Sequence, residues 1–348
     1  MRAQDARIVG WSRRTRFVVA ILVSSLVVGA ASCGPRATPS RYGVVLYDTT
    51  GLDLMRDASF KWVRLYVKWD AMQPSAAHQF DPGYLAWIDS QVNAAVKFGF
   101  SVDITFERHV PSWAWDPTQT QSQAGTGTCD VAWRAERRPA SPSMFHDFAY
   151  ETVRHFRDRV ASWELWNEPW MNCRWPGNAA DFRNLVFGPG FDGIREAEPG
   201  AIVLGPSVNN GTQFSNFYKD SSGHLVRLVN AVNLHQYGSV TDIESAMDVA
   251  NKFHPCTTAG YCVRKYELTE YGFGEAADPD NAKMITRHCE AQTNCERLYY
   301  FIQVGQGLNA QGDPYGSYAL LDNNGVPRAK YWSLRAYQTS QEPPLPQS

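Results

Sequence analysis

The feature that most constrains this chain is an alternation. Short runs of β-branched and aromatic residues recur along it, each followed by a stretch with helical apolar spacing. The strand-like runs are 42–47, 62–67, 101–106, 160–168, 201–205, 231–237, 266–271 and 316–321, with 298–304 as the rival for the last. Helical patterns lie between them: 52–60, a run from Asp81-Pro82 to Gly99, another opening at Ser141-Pro142, then 181–197, 214–230, 242–253 and 279–304. A final helix is expected over 328–337. Gly188-Pro189-Gly190 should break or kink the helix that contains it. Strands alternating with helices require a parallel sheet with helical crossovers, and eight repeats predict an α/β fold of the (β/α)8 TIM-barrel type. A doubly wound open sheet is the alternative. It lacks its best support, because no Gly-x-Gly-x-x-Gly follows the first strand.

The flanks do not belong to that pattern. Arg7, Arg13, Arg14 and Arg16 precede a mostly apolar run over 17–28, then Gly29-Ala30-Ala31-Ser32-Cys33. This is the layout of a secretory signal over 1–33, too short an apolar run for a stable span. The small residues before Cys33 resemble a bacterial lipoprotein cleavage site with Cys33 as the lipidated residue, and Arg13-Arg14 resembles a twin-arginine signal. Residues 34–40 read as a linker, 41–340 as one catalytic domain and 341–348 as a polar tail. The membrane is therefore expected as a partner only through that leader or its lipid. A net charge of −2 offers no basis for binding nucleic acid.

Seven cysteines support export. With Cys33 set aside the rest are even in number. Cys256 and Cys262 could staple one loop, Cys289 and Cys295 another, which leaves Cys129 to Cys173. No Cys–His spacing matches a zinc site, so no metal is expected.

The stretch with most chemistry is Trp163-Glu164-Leu165-Trp166-Asn167-Glu168-Pro169-Trp170. Pro169 cannot donate to a ladder, so the strand should stop near Glu168. Indoles flanking a carboxylate suit a sugar, whose C–H faces stack on aromatics. Alone, Asn-Glu-Pro is more often a plain strand end. In a barrel, however, strand ends share one mouth, and Glu270 ends the seventh strand as Glu168 ends the fourth. Two facing carboxylates, one protonating a leaving oxygen and one attacking carbon, are what double-displacement glycoside hydrolysis needs. Arg64 could hold the nucleophile ionised, or simply pair with Glu164. Asn167 could meet a sugar hydroxyl, and His235 and Tyr237 could orient the acid and the nucleophile. Trp113, in the long loop 108–139, and Trp170 are candidate walls of the cleft. Glu267 is the rival nucleophile, and strand alternation sends it to the face opposite Glu270.

Trp166-Asn167-Glu168-Pro169, His235-Gln236-Tyr237 and Leu268-Thr269-Glu270-Tyr271-Gly272 resemble the signatures of the clan of retaining (β/α)8-barrel glycosidases that includes cellulases, β-xylosidases and α-iduronidases. Trp69 to Pro74 and Leu321 to Pro327 are most similar to the β-xylosidase and iduronidase branch. The resemblance implies Glu168 as acid/base, Glu270 as nucleophile, Arg64 and Tyr237 at the second- and sixth-strand positions, a carbohydrate substrate and no cofactor. Many members carry Trp at the end of the eighth strand; here Tyr318 is the nearest aromatic of the preferred strand. A transglycosidase would share every residue named, and a catalytically silent sugar-binding lipoprotein would keep the cleft.

Overall fold

A computed structural model describes residues 40–119, 137–171, 174–219, 229–256, 260, 262–305 and 316–341. The predicted leader, Cys33, Cys129 and Cys173 lie outside these, so the lipidation and the third disulfide have no structural account.

Eight parallel strands close in sequence order: β1 (Tyr42–Val45), β2 (Trp62–Lys68), β3 (Ser101–Glu107), β4 (Ser162–Glu164), β5 (Ile202–Val208), β6 (Ala231–His235), β7 (Lys265–Tyr271) and β8 (Cys295–Tyr300). The seam is closed by β1 against β8, where Gly43 lies opposite Tyr299. Helices surround the barrel: α1 (Leu52–Asp57), α2 (Trp69–Met72), α3 (Pro82–Lys97), α4 (Pro142–Phe156), α5 (Ala179–Phe182), α6 (Gly188–Ala197), α7 (Gly211–Tyr218), α8 (Val240–Lys252), α9 (Asn281–Ala291) and α10 (Ala329–Gln341). The fold is the (β/α)8 barrel that the alternation predicts.

Local chemistry explains the helix starts. Asp81 accepts from the Tyr84 amide with Pro82 in the first turn, and Asn178 and Asn210 cap α5 and α7 in the same way. Ser239 and Asp242 form a reciprocal capping box at α8. Gly188-Pro189-Gly190 does not end its helix. A π turn over Arg183–Phe187 joins α5 to α6, and Pro189 falls in the first turn of α6. A missing N–H costs least there.

Two strand expectations need correction. The eighth strand is Cys295–Tyr300, not 316–321, and α9 stops at Ala291 rather than running to 304. The helical spacing of 279–304 hid the change of period at the Cys289–Cys295 disulfide, which joins the end of α9 to the start of β8. Cys256–Cys262 is the second disulfide. The fourth strand also ends early. Its last ladder residue is Glu164, and only the Leu165 amide continues, to the Leu204 carbonyl. Among the described residues no helix is long and apolar enough to cross a membrane.

Candidate active site

The C-terminal strand ends open into a pocket of about 670 Å³. That lies within the range typical of small-molecule sites. Arg64 is fully buried on β2 and holds two carboxylates. Its Nε donates to Glu164 Oε2 at 2.6 Å and its Nη1 to Glu270 Oε1 at 2.8 Å. Both alternatives posed for Arg64 are therefore realised in one guanidinium fork. Glu164 also accepts from Thr105 at 2.7 Å, so it is tied into the barrel interior beneath the pocket.

Glu270 accepts two further hydrogen bonds, from the Tyr66 hydroxyl and from the Tyr237 hydroxyl at 2.8 Å. Burial alone would raise its carboxyl pKa. The nearby His235 ring, the positive charges of Arg64 and Arg174 and the Tyr66 hydrogen bond outweigh burial and pull it down to about 2. Burial, reinforced by the Glu270 charge, pushes the Tyr66 and Tyr237 phenols well up, which keeps both as donors.

Glu168 reaches the pocket by strained backbone rather than by ladder geometry. Trp166 and Glu168 have φ of 74° and 52°, a left-handed conformation that costs on the order of 1 kcal/mol or more for non-glycine residues. The first turn buries the Trp166 indole edge-on against Phe145, Trp175 and Phe182. The second is fixed by Ser207, whose hydroxyl accepts from the Glu168 amide at 2.9 Å. The Glu168 carboxylate lies 2.6 Å from Arg174 Nη1, and its other oxygen lies 3.1 Å from His235 Nδ1. The same His235 nitrogen is 3.4 Å from Glu270. One ligand atom each of Glu168, His235 and Glu270 fall within 4.8 Å of one another. This trio has the donors for a divalent ion, but Arg64 and Arg174 already compensate its carboxylates.

Asn167 and Trp170 line the same pocket, and Asn167 Oδ1 and Trp170 Nε1 are buried without a protein partner. Trp113 does not line it. Its indole packs edge-on against Trp69 at 5.9 Å and donates to the Gln73 carbonyl. Tyr318 and Phe301 both line the pocket, and Phe301 is the aromatic that directly follows β8. Tyr66 and Arg174 were missed by sequence reasoning. Tyr66 could have been found from its two-residue spacing from Arg64; Arg174, in an irregular turn, carried no signal.

The alternation argument against Glu267 fails. Glu267 is wholly buried and pairs with Arg297, Nε to Oε1 at 2.9 Å, while Thr269 donates to Glu164. Residues 267, 269 and 270 thus all bond to interior side chains, whereas Tyr266 and Tyr271 bond outward to Gln292 and toward Thr286. The register of β7 slips against both neighbours, and His235 pairs with Glu270 across one slip. That irregularity turns Glu270 inward at the mouth, one step above Thr269.

No protein-family model and no curated protein sequence matches the chain. Solved structures do. A family 39 glycoside hydrolase from Bacteroides cellulosilyticus WH2 superposes with TM-score 0.61 at 16% identity, over 86% of this chain and 63% of that one. An exo-β-1,4-mannosidase from Opitutaceae bacterium strain TAV5 gives 0.62 at 13%, over 86% and 59%. A GH5_18 variant from Streptomyces cattleya, solved with Manβ1-4GlcNAc, gives 0.62 at 14%, over 88% and 82%. This chain shares its fold with glycoside hydrolases. It spans less than two thirds of the length of the first two.

Proposed function

We propose that the protein is a retaining glycoside hydrolase, with Glu270 as nucleophile and Glu168 as acid/base. The observation that carries the reading is the facing pair: carboxylate oxygens of Glu168 and Glu270 within 4.8 Å, one of the two carboxylates held ionised by Arg64, Tyr66 and Tyr237. Retaining enzymes space their carboxyl groups about 5–5.5 Å apart, whereas inverting ones leave room for a water at about 6.5–9.5 Å.

In the first half-reaction a Glu270 oxygen bonds to the anomeric carbon as the carbon–oxygen bond to the leaving group breaks. The proton on Glu168 moves to that leaving oxygen. In the second, Glu168 takes a proton from water, the water oxygen bonds to the anomeric carbon, and Glu270 is released. Arg64 and the two tyrosines favour Glu270 as a carboxylate and as a leaving group. His235 Nδ1 lies between the two carboxylates, 3.1 Å from Glu168 and 3.4 Å from Glu270. The unpartnered Asn167 Oδ1 and Trp170 Nε1 are suited to sugar hydroxyls, which would satisfy buried polar atoms otherwise left unpaired. The aromatic faces of Trp170, Phe301 and Tyr318 supply stacking surface. Two carboxylates provide all the proton and covalent chemistry of this scheme.

Export completes the proposal: a cleaved leader, with Cys33 as a lipid anchor, delivers the enzyme to a compartment where its disulfides persist.

The test is turnover of activated aryl β-glycosides by wild type, Glu168→Ala and Glu270→Ala with and without azide. Both variants should lose activity, with azide rescue giving a β-glycosyl azide from Glu168→Ala and an α-azide from Glu270→Ala. Full activity in Glu270→Ala would remove the nucleophile assignment.

A further inference from the structure

The pocket that holds Glu168 and Glu270 is also lined by Tyr84, Trp87 and Gln91 of α3. These stand at i, i+3 and i+7, so they form one stripe along the helix. A pocket of about 670 Å³ has the size of a site for a drug-sized ligand, which is larger than one sugar ring. Trp87 is 46% exposed. An isolated exposed indole needs no explanation. This one lies on the wall of the catalytic pocket, its ring centroid 5.5 Å from that of Tyr84 with 39° between the planes. Trp332 on α10, the other strongly exposed indole among the described residues, does not line the pocket. Tyr84 is fixed at both ends. Its amide donates to the Asp81 side chain at 2.7 Å, and its hydroxyl accepts from the Lys68 amide at 3.0 Å. The stripe is thereby held beside β2, the strand that carries Arg64 and Tyr66.

Gln91 decides what the stripe is built to hold. It is 3% exposed, and its Oε1 is buried with no partner among the described residues. An unpaired buried amide oxygen is unfavourable, and a hydroxyl donated by a ligand would satisfy it. A pyranose ring offers both things at once: C–H faces that stack on an indole and hydroxyls along its edge. A purely apolar group would cover Trp87 and Tyr84 but leave the Gln91 oxygen unpaired. None of these three residues touches Glu168 or Glu270, so the chemistry of bond cleavage gives them no task.

We infer that α3 forms a second sugar-binding site in this pocket, where a further pyranose unit of the substrate stacks on Trp87 and donates a hydroxyl to Gln91, so that the enzyme acts on an oligosaccharide chain in preference to a single glycoside. The inference rests on the glycosidase reading for its kinetics, while binding of the chain stands apart from it. Two placements share this chemistry: the extra unit extends the sugar that joins Glu270, or it extends the sugar that leaves.

The experiment compares kcat/KM for nitrophenyl β-glycosides that carry one, two or three β-1,4-linked units of glucose, xylose or mannose. A second arm follows the free oligosaccharides, labelled with heavy oxygen at the reducing end, by mass spectrometry; the label reports how many units lie on each side of the cleaved bond and so separates the two placements. Wild type, Trp87→Ala, Gln91→Met and, as a control away from the pocket, Trp332→Ala are each checked for unchanged cooperative unfolding. In at least one series an added unit should raise kcat/KM by about tenfold or more, the scale of one well-packed ring contact. Trp87→Ala should remove most of that gain, Gln91→Met part of it, and Trp332→Ala none. Absence of a gain with length in every series overturns the inference, as does a gain that survives both Trp87→Ala and Gln91→Met. Octyl glycosides test the occupant: an alkyl chain that gains as much through Trp87 as a sugar does would make the site apolar and overturn the sugar assignment. If nothing is hydrolysed, calorimetric binding of cellotetraose, xylotetraose and mannotetraose against their monosaccharides decides. Length-selective binding lost in Trp87→Ala upholds the second site while the hydrolase reading falls; no selectivity sinks it.

Discussion

Glu270 shows how much of this site is decided one hydrogen bond at a time. It is buried, yet Arg64, Tyr66 and Tyr237 all donate to it. Tyr66→Phe removes one donor and keeps the ring. A hydrogen bond to a charged group is worth about 1.5–3 kcal/mol, which corresponds to about one to two pH units. The acid limb of kcat/KM should therefore move up from its low position near pH 2 by roughly that amount, with a lower plateau. A pH–rate profile of the variant checks this, and an unmoved limb would exclude Tyr66 as a support of the nucleophile. The same depression has a stability consequence. The carboxyl is held below its ordinary 4.5, so its contribution is present above that pH and is lost as pH falls toward about 2. Asp103 runs the other way. It is wholly enclosed and accepts from Ser162, and burial, followed by the charges of Glu164 and Glu267, pushes its carboxyl well up. A raised acid costs stability as pH climbs above the unfolded-state value near 3.8, where only the unfolded chain ionises. Asp103→Asn should keep the fold at pH 4 and be relatively more stable than wild type at pH 8. Denaturant melts at the two pH values measure the difference, and an equal loss at both would mean that Asp103 is ionised in the fold.

Among the elements, α4 and α6 pack backbone close to backbone. A Cβ added at Gly193 would lie 2.4 Å from the His146 carbonyl oxygen, which is backbone and cannot swing aside. Gly193→Ala should therefore force the helices apart and cost about 1–3 kcal/mol, the usual range for overpacking. Gly200→Ala has open space around its new Cβ and serves as the control. Chemical denaturation of both variants is the measurement, and equal stabilities would show that α4 and α6 can separate freely. These elements also explain which strand ends were legible. The start of α3 follows from Asp81-Pro82, because a cap is a local interaction. The end of β4 was not local. Its ladder stops at Glu164 because Trp166 turns into a cluster with Phe145, Trp175 and Phe182, residues distant in sequence.

At the scale of the whole molecule, the barrel depends on its seam. Gly43 leaves room for the Tyr299 ring, and a Cβ there would meet Tyr299 Cδ1 at 2.4 Å. Gly43→Val should open the β1–β8 closure, with loss of cooperative thermal unfolding or a fall in Tm of several degrees, since about 1–3 kcal/mol of overpacking shifts Tm by a few degrees in a chain of this size. A melt followed by circular dichroism tests it, and an unchanged Tm would mean that the seam tolerates a branched side chain. Arg64, Tyr66, His235 and Glu270 hang on strands of this barrel, so seam opening should abolish turnover before secondary structure is lost.

The sequence by itself determined the eightfold alternation, hence the barrel, and the place of Glu270 at the end of β7. Both follow from periodicity, which is a property of neighbouring residues. Tertiary structure alone decided three things. It placed the eighth strand at Cys295–Tyr300, because the partner that selects it is β1, far away in the chain. It turned Glu270 inward through a register slip that strict alternation cannot represent. It brought Arg174 onto Glu168 from an irregular turn, where no period marks which way a side chain will face.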